Sequence, residues 1–354
     1  MELVAEMFDR GILSNNGPLV LELERQIAAH LDVKHCIAMA NGTVALEIAI
    51  AAVGMTGEVI VPSYTFVATA HAVAWQGLTP VFADINPRTH TLDPGSVRSL
   101  ITERTGGIIG VHLWGQGADV DAIDAIGEEF GIPVVYDAAH AFSASVAGRK
   151  LGRFGRAEVF SFHATKFFNT FEGGAVTTDD DALAGRLRLM RNFGFDGEDS
   201  VVHLGTNGKM TEVCAAMGLV NLRSLDDVIR RNKHNYDRYS DALSGIDGVQ
   251  LLPFASPDDA NFQYVVVEID ACARRTRAEV LASLRAANVL ARRYFWPGAH
   301  MMQPYRDRFP DAGQYLPRTI EVADRVIVLP TGTAVDDSHI DLIGRIFRRE
   351  LSSD

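Results

Sequence analysis

Phe160-Ser161-Phe162-His163-Ala164-Thr165-Lys166, followed by Phe171-Glu172-Gly173-Gly174-Ala175, decides how this chain is read. An apolar strand, Ala157 to Phe162, delivers a short polar turn that presents one lysine. A glycine pair then lets the backbone pass close to whatever the lysine holds, before a second strand from Ala175 to Thr178. A lysine at the end of a buried strand loses hydration, which lowers its pKa and frees the amine for nucleophilic or Schiff-base chemistry. The bland alternative is a structural ion pair. The chain has five lysines. Lys34, Lys150, Lys209 and Lys233 fall in polar turns, Gly-rich loops or an arginine-rich helix face. Only Lys166 has an apolar strand before it and a Gly-Gly strand after it.

Upstream of this turn the pattern is a regular alternation. Leu19, Leu23, Ile27 and Leu31 recur at intervals of four, with Glu22, Glu24 and Arg25 on the other side of the helix. Strand Cys36–Ala40, the turn Asn41-Gly42-Thr43 and helix Val44–Val53 follow. Next come strand Glu58–Val61, helix Thr65–Trp75, strand Pro80–Ala83, a short helix to Ile101, strand Gly107–Leu113, helix Asp119–Phe130 and strand Pro133–Tyr136. Near-continuous apolar strands alternating with helices predict an α/β fold, with a parallel or mixed sheet covered on both faces. Ligands bind such sheets at the carboxyl ends of the strands, where Asn41, Ser63 to Phe66, His112, Asp137, Ser161 and Lys166 all fall. Beyond Gly205-Thr206-Asn207-Gly208, residues Thr211 to Leu243 read as one long helix. Strands at Val249–Leu252, Phe262–Ile269 and Val326–Val328, with helices at Arg277–Ala287 and Ser338–Glu350, predict a small α+β domain. A boundary near Asn235 gives a large domain over 1–235 and a small one over 236–354.

The net charge of −12 disfavours a nucleic-acid backbone as partner, because such affinity is carried largely by Lys and Arg. No run of about 18 apolar residues and no leader pattern occurs, so the expectation is a cytoplasmic protein without a membrane partner. Cys36, Cys214 and Cys272 lie far apart and read as small buried hydrophobes.

Each candidate residue has a plain alternative. Asp137 ends an apolar strand, and a carboxylate there needs a partner, either a protonated ring nitrogen or a helix N-terminus or arginine. His140 reads as a group beside a cofactor ring or as a hydrogen-bonded core histidine. His112, His140 and His163 lack metal-ligand spacing, so no metal is expected. Ser161 can donate to a phosphate or bond its own backbone. The Asn41-Gly42-Thr43 turn can aim free N–H groups at an anion or be an ordinary cap. Phe66 can stack on an aromatic ligand or pack into the core, and Tyr64 is the lesser candidate for the same role. Asn207 and Lys209 sit on a glycine-rich loop. Arg292-Arg293-Tyr294-Phe295-Trp296-Pro297 and His300 join charge to aromatics suited to a nucleotide.

These motifs, in this order, resemble the nucleotide-sugar aminotransferases of the DegT/StrS type, a branch of the fold-type-I pyridoxal phosphate (PLP) enzymes. The matching stretches are Asn16-Gly17-Pro18; Asn41-Gly42-Thr43 with Ala45-Leu46; Pro62-Ser63-Tyr64-Thr65-Phe66-Val67-Ala68-Thr69-Ala70; Pro80-Val81-Phe82-Ala83-Asp84-Ile85; Val111-His112-Leu113-Trp114-Gly115; Asp137-Ala138-Ala139-His140-Ala141; Phe160 to Lys166; Glu172-Gly173-Gly174-Ala175; Asn207-Gly208-Lys209-Met210; and Arg293-Tyr294-Phe295-Trp296-Pro297. The resemblance implies a mostly parallel seven-stranded sheet in the large domain. It implies Lys166 as the lysine that forms the Schiff base with PLP, Asp137 as the partner of the pyridine nitrogen, and His140 in the place of a commoner glutamine beside the ring. It further implies Gly42, Thr43 and Ser161 on the phosphate, Phe66 stacked on the ring, and Asn207 reaching the neighbouring subunit's cofactor in a homodimer with shared active sites. His163, Lys209, Arg293, Tyr294 and His300 are expected with the substrate. By motif spacing the N-terminus starts short of a typical member. Relatives that replace the lysine with histidine are dehydratases, and Lys166 argues against that activity here. The implied reaction moves an amino group from an amino acid, expected to be L-glutamate, to a nucleotide-linked ketosugar. The Phe-His-Ala-Thr-Lys turn resembles members acting on dTDP-4-keto-6-deoxy sugars, with a 3-keto substrate or a sugar dehydratase or lyase activity as alternatives.

Overall fold

The computed structural model describes residues 2–352. The chain opens with α1 (Glu2–Arg10) and α2 (Pro18–Leu31). There follow β1 (His35–Met39), α3 (Gly42–Val53), β2 (Thr56–Pro62), α4 (Ala68–Trp75), β3 (Thr79–Ala83), α5 (Pro94–Leu100), β4 (Thr105–Val111), α6 (Val120–Phe130) and β5 (Val134–Asp137). A small hairpin, β6 (Ser145–Val146) and β7 (Arg149–Lys150), precedes β8 (Ala157–Ser161), β9 (Gly174–Thr178) and α7 (Asp181–Arg191). Helices α8 (Glu212–Leu222) and α9 (Leu225–Leu243) lead into β10 (Val249–Leu251), β11 (Val265–Ile269), α10 (Arg277–Ala286), α11 (Tyr305–Arg308), α12 (Pro317–Arg325), β12 (Val326–Leu329) and α13 (Asp337–Leu351).

The central sheet has seven strands in the order β1-β9-β8-β5-β4-β2-β3, and β9 alone runs against its neighbours. The expected mostly parallel seven-stranded sheet is borne out. Alternation along β8 explains the apolar run that first marked it. Ala157 and Val159 enter the core under α3, α4 and α7, while Phe160 and Phe162 enter the opposite core under α2, α6 and α8. Strands buried on both faces have no polar side to show. A second, antiparallel sheet, β10-β11-β12, packs with α9, α10 and α13 around Tyr239, Val265, Val267, Leu284, Ile343 and Phe347. Tyr64, Trp114, Phe295, Val322 and Val328 form one cluster that joins the two parts.

Four sequence expectations are corrected. The long helix from Thr211 breaks at Arg223–Ser224, where Arg223 N–H turns back to the Val220 carbonyl and the Ser224 hydroxyl donates to the Asn221 carbonyl, competing with helix propagation. Glu24 lies in the core rather than on the solvated face of α2. Its carboxylate accepts from Ala38 N–H at 2.8 Å and pairs with the buried Arg191 guanidinium. Of the cysteines, Cys36 alone is buried, Cys214 is half-buried and Cys272 is exposed. The strand expected from Phe262 begins at Val265, because Asn261 and Gln263 spend their polar groups elsewhere, as described below. Helix α1 had no counterpart in the sequence reading.

Candidate active site

The carboxyl ends of β1, β8 and β5 point to the same side of the sheet, with the start of β9 between β1 and β8, and the elements there build a cleft. Beyond β8 the chain loops through Lys166 and returns as β9. Phe162 N–H donates to the Gly173 carbonyl at 2.8 Å, and Thr170 N–H donates to the Phe162 carbonyl at 2.9 Å, so the loop is closed on itself. The two glycines have separate physical reasons. A Cβ on Gly173 would sit 2.0 Å from Thr170 Oγ1, and one on Gly174 would sit 2.7 Å from the backbone of Asn41 and Gly42. What Gly174 passes so closely is therefore the start of α3. That helix begins at Gly42, capped by Asn41 Oδ1 accepting from Val44 N–H at 2.9 Å. A Cβ on Gly42 would meet Ser161 Cβ at 2.8 Å, so the serine and the free N–H end of α3 share one small space.

Lys166 is half-buried, and its amine lies 3.4 Å from Tyr264 Oη. Loss of hydration pulls its pKa down to about 8, opposed in part by the Asp137 carboxylate. Asp137 ends β5. Its carboxylate accepts from Thr69 Oγ1 at 2.8 Å and from Ala139 N–H at 3.1 Å, and burial nevertheless pushes its pKa up. Thr69 comes from α4, whose approach leaves Phe66 58% exposed while Tyr64 is buried, its hydroxyl donating to the Tyr294 carbonyl at 2.6 Å. Of these two aromatics, Phe66 is the one with a free face. His140 lies 3.0 Å from Tyr264 Oη through Nε2, and its buried Nδ1 has no partner among the described residues. Burial, and then Lys166, hold this imidazole neutral, well below its ordinary range.

His112 is not part of this group. Its Nδ1 accepts from Ala118 N–H, which leaves the proton on Nε2 to bond Glu158 at 3.1 Å, with both side chains fully buried. Among the described residues no cluster of three or more His, Cys, Asp and Glu is arranged to hold a metal. His163 is exposed beside Lys166, bonded to Thr165 Oγ1 and facing Glu172 at 3.4 Å. Asn207 is exposed on a loop fastened to the site edge by Ala40 N–H donating to the Gly208 carbonyl, and Lys209 there lies 4.6 Å over the Phe193 ring. Arg293 stacks 3.9 Å over Trp296. Tyr294 stacks on Phe295, which in turn lies flat against Trp114 and His140 and so lines the cleft. His300 is turned into the core. It is 2% exposed, with Nδ1 against Ser63 Oγ at 2.7 Å and its ring near Phe82.

A model of the DegT/DnrJ/EryC1/StrS aminotransferase family matches residues 1–348. The chain belongs to that family. A dTDP-4-amino-4,6-dideoxy-D-glucose transaminase of Escherichia coli is 35% identical over 337 residues, which is 94% of this chain and 90% of the relative. A UDP-2-acetamido-2-deoxy-3-oxo-D-glucuronate aminotransferase of Pseudomonas aeruginosa is 36% identical over 331 residues, 92% of this chain and 89% of the relative. Among solved structures, DesI in the presence of its TDP-sugar product has a TM-score of 0.92 and 46% identity, covering 98% of this chain and 88% of that one. The resemblance read from the motifs and the fold-type-I architecture are both borne out.

Three residues of the cleft were given no role in the sequence reading of this family member. Thr69 bonds Asp137, Tyr264 touches both Lys166 and His140, and Asn261 ties the His140 carbonyl to the backbone of Gln263, next to Tyr264. The one available signal was polar: Asn261, Gln263 and Tyr264 interrupt what otherwise reads as the start of an apolar strand.

Proposed function

We propose that this chain is a PLP-dependent aminotransferase that transfers the amino group of an amino acid, L-glutamate by preference, to the keto carbon of a dTDP-linked 4-keto-6-deoxyhexose. The observation that carries this reading is the Lys166 amine, depressed to about 8, in one cleft with the buried Asp137 carboxylate. The residues present fit PLP. A buried carboxylate pushed upward by burial needs a cationic partner, which a protonated pyridine nitrogen supplies. Gly42 has no room for a Cβ against Ser161, and the free end of α3, with Thr43 in its first turn, opens beside the serine hydroxyl, as a phosphate requires. The orphaned His140 Nδ1 awaits a polar group. When bound, the cofactor supplies an electron sink and a carrier for the amino group.

The chain's own residues do the rest. Thr69 and Ala139 N–H hold Asp137 so that its charge faces one direction. Phe66, the aromatic with a free face, would cover the cofactor ring. Lys166, neutral in good part near pH 8, would hold at Nζ the proton removed from the amino-donor carbon and give it back when the amino group has moved. His163, Lys209, Arg293 and Tyr294 serve the nucleotide sugar, and His300 steadies the Ser63–Phe66 turn from behind. Asn207 serves a second subunit. The exposed Phe193, Phe195, Val201, Val202 and Leu204 on the adjoining loop support a homodimer, since apolar exposure of this kind marks an interface. The division into a large domain over 1–235 and a small one over 236–354 belongs to the same reading.

Amination at C3 is the second reading, favoured by the 3-oxo substrate in the name of the Pseudomonas relative. Incubation of the purified protein with PLP, L-glutamate and either the 4-keto or the 3-keto dTDP-sugar, with mass spectrometry of the products, tests both. A 4-amino sugar formed together with 2-oxoglutarate is expected. A 3-amino product replaces the first reading with the second. An oxoacid-free loss of water from the sugar overturns both.

A further inference from the structure

We infer that Tyr264 is a positioning residue that ties the charge on Lys166 to the tautomer of His140. Its hydroxyl stands between the two, 3.4 Å from Lys166 Nζ and 3.0 Å from His140 Nε2. A phenol has a single proton to give, so the direction of this three-member chain is set by its ends. When Lys166 is an ammonium, an N–H of Nζ donates to Tyr264 Oη. The phenol proton then goes to His140 Nε2, and the imidazole carries its own proton on Nδ1. When Lys166 is neutral, its lone pair accepts the phenol proton. Tyr264 Oη accepts from His140 Nε2–H, and Nδ1 is left as a bare acceptor. Passing from the first arrangement to the second releases one proton to solvent. The histidine keeps one proton throughout and changes only the nitrogen that holds it.

The surroundings keep the end groups in the required states. Burial pushes the Tyr264 hydroxyl well up, so it stays protonated, and burial with Lys166 keeps His140 neutral. The titratable and charged groups facing this chain are Asp137 on the Lys166 side, and Tyr294 and Arg292 on the Tyr264 side. The geometry is held from elsewhere in the fold. Asn261 Nδ2 donates to the carbonyls of His140 and Phe142 at 3.0 and 2.9 Å, its Oδ1 accepts from Gln263 N–H, and its own N–H donates to the Gly115 carbonyl. Residues 261–264 are thereby clamped to the turn that carries His140. The Tyr264 ring lies 4.4 Å from the His140 ring and edge-on to Trp114 at 5.4 Å, which closes the ways out. The consequence is that His140 Nδ1, buried and unpartnered among the described residues, offers a proton while Lys166 is charged and a lone pair once it is not.

The inference deepens the proposed role of this cleft and rests on that reading for its use, but the proton positions belong to the chain itself. They are read from the full-length protein labelled with ¹⁵N-histidine and freed of bound small molecules by dialysis against hydroxylamine. A His140→Gln spectrum identifies the His140 nitrogens. Between about pH 6 and about pH 10 the two nitrogens are expected to exchange protonated and unprotonated shifts. The midpoint should match that of Lys166, measured independently by the pH dependence of reductive methylation. Tyr264→Phe is expected to abolish the exchange, and so is Lys166→Met, with circular dichroism unchanged. A His140 that keeps one tautomer across the range, or an exchange that survives in either variant, overturns the inference. If Tyr264→Phe does not fold, Lys166→Met decides alone. Failure to aminate any sugar leaves these spectra untouched, so the two readings fail separately.

Discussion

Replacing Lys166 with methionine should remove the transferase activity and, in the cofactor-free protein, change the pH dependence of stability by a measurable amount. The folded amine titrates at about 8, whereas an unfolded lysine titrates near about 10.4. Between those values the unfolded chain holds a proton that the folded chain has lost, so wild-type stability rises with pH across this window. Below it the penalty for burying the ammonium is fully present. From about pH 7 to about pH 10 the two midpoints give a gain of about 2.5 kcal/mol for wild type relative to the methionine variant. Solvent screening at a half-buried side chain brings the expectation to between about 1 and about 2.5 kcal/mol. Urea unfolding of both proteins at the two pH values measures it, and the other lysines cancel in the difference. A wild-type-minus-variant difference that is flat, or that falls with rising pH, would refute the claim that this amine is desolvated.

Three further outcomes follow from the same geometry. Asp137→Ala should lower kcat by at least about 100-fold with a smaller change in KM, because a sink with an unprotonated ring is a poor one; steady-state kinetics with an unchanged kcat would remove its role. Gly174→Ala places a methyl 2.7 Å from the backbone of Asn41 and Gly42, which cannot yield as a side chain would. It should weaken PLP binding at least about tenfold, besides a stability loss of about 1–3 kcal/mol, and fluorescence titration with the cofactor reads the first directly. Glu158→Ala leaves the fully buried His112 and the N–H groups of Gly152 and Phe154 without their acceptor. A loss of about 3–5 kcal/mol in denaturant unfolding is expected, and a loss under about 1 would mean that the pair is dispensable.

The sheet was legible because its strands are buried on both faces, which forces continuous apolar runs such as Val134-Val135-Tyr136 and Ala157 to Phe162. Lys166, Asp137 and the Asn41–Thr43 turn were legible because each ends such a run, where a polar residue is out of place unless it is used. Glu24 was misread because a helix of period 3.6 brings position 24 round to the face of Val20, Ile27 and Leu31, and its partner Arg191 is far away in sequence. The same distance hid Tyr264. It meets Lys166 across 98 residues and His140 across 124, and no local period reports such a meeting. The burial of His300 beside Ser63 and Phe82 was hidden in the same way, because its partners lie more than 200 residues upstream.

The reversal of β9 has a consequence for how the site is assembled. Because β8 and β9 pair antiparallel, Ser161 opposite Gly174, the Lys166 loop is a hairpin whose two ends meet within a dozen residues. Its shape needs no crossover helix and closes with little loop entropy. Asp137, the α3 end and Tyr264 reach the same point only through distant chain segments. The lysine is thus the locally encoded member of the cleft, and its neighbours there are brought by topology. A graft of residues 157–178 into another sheet would carry the lysine's loop with it, but not the distant segments that strip water from its amine.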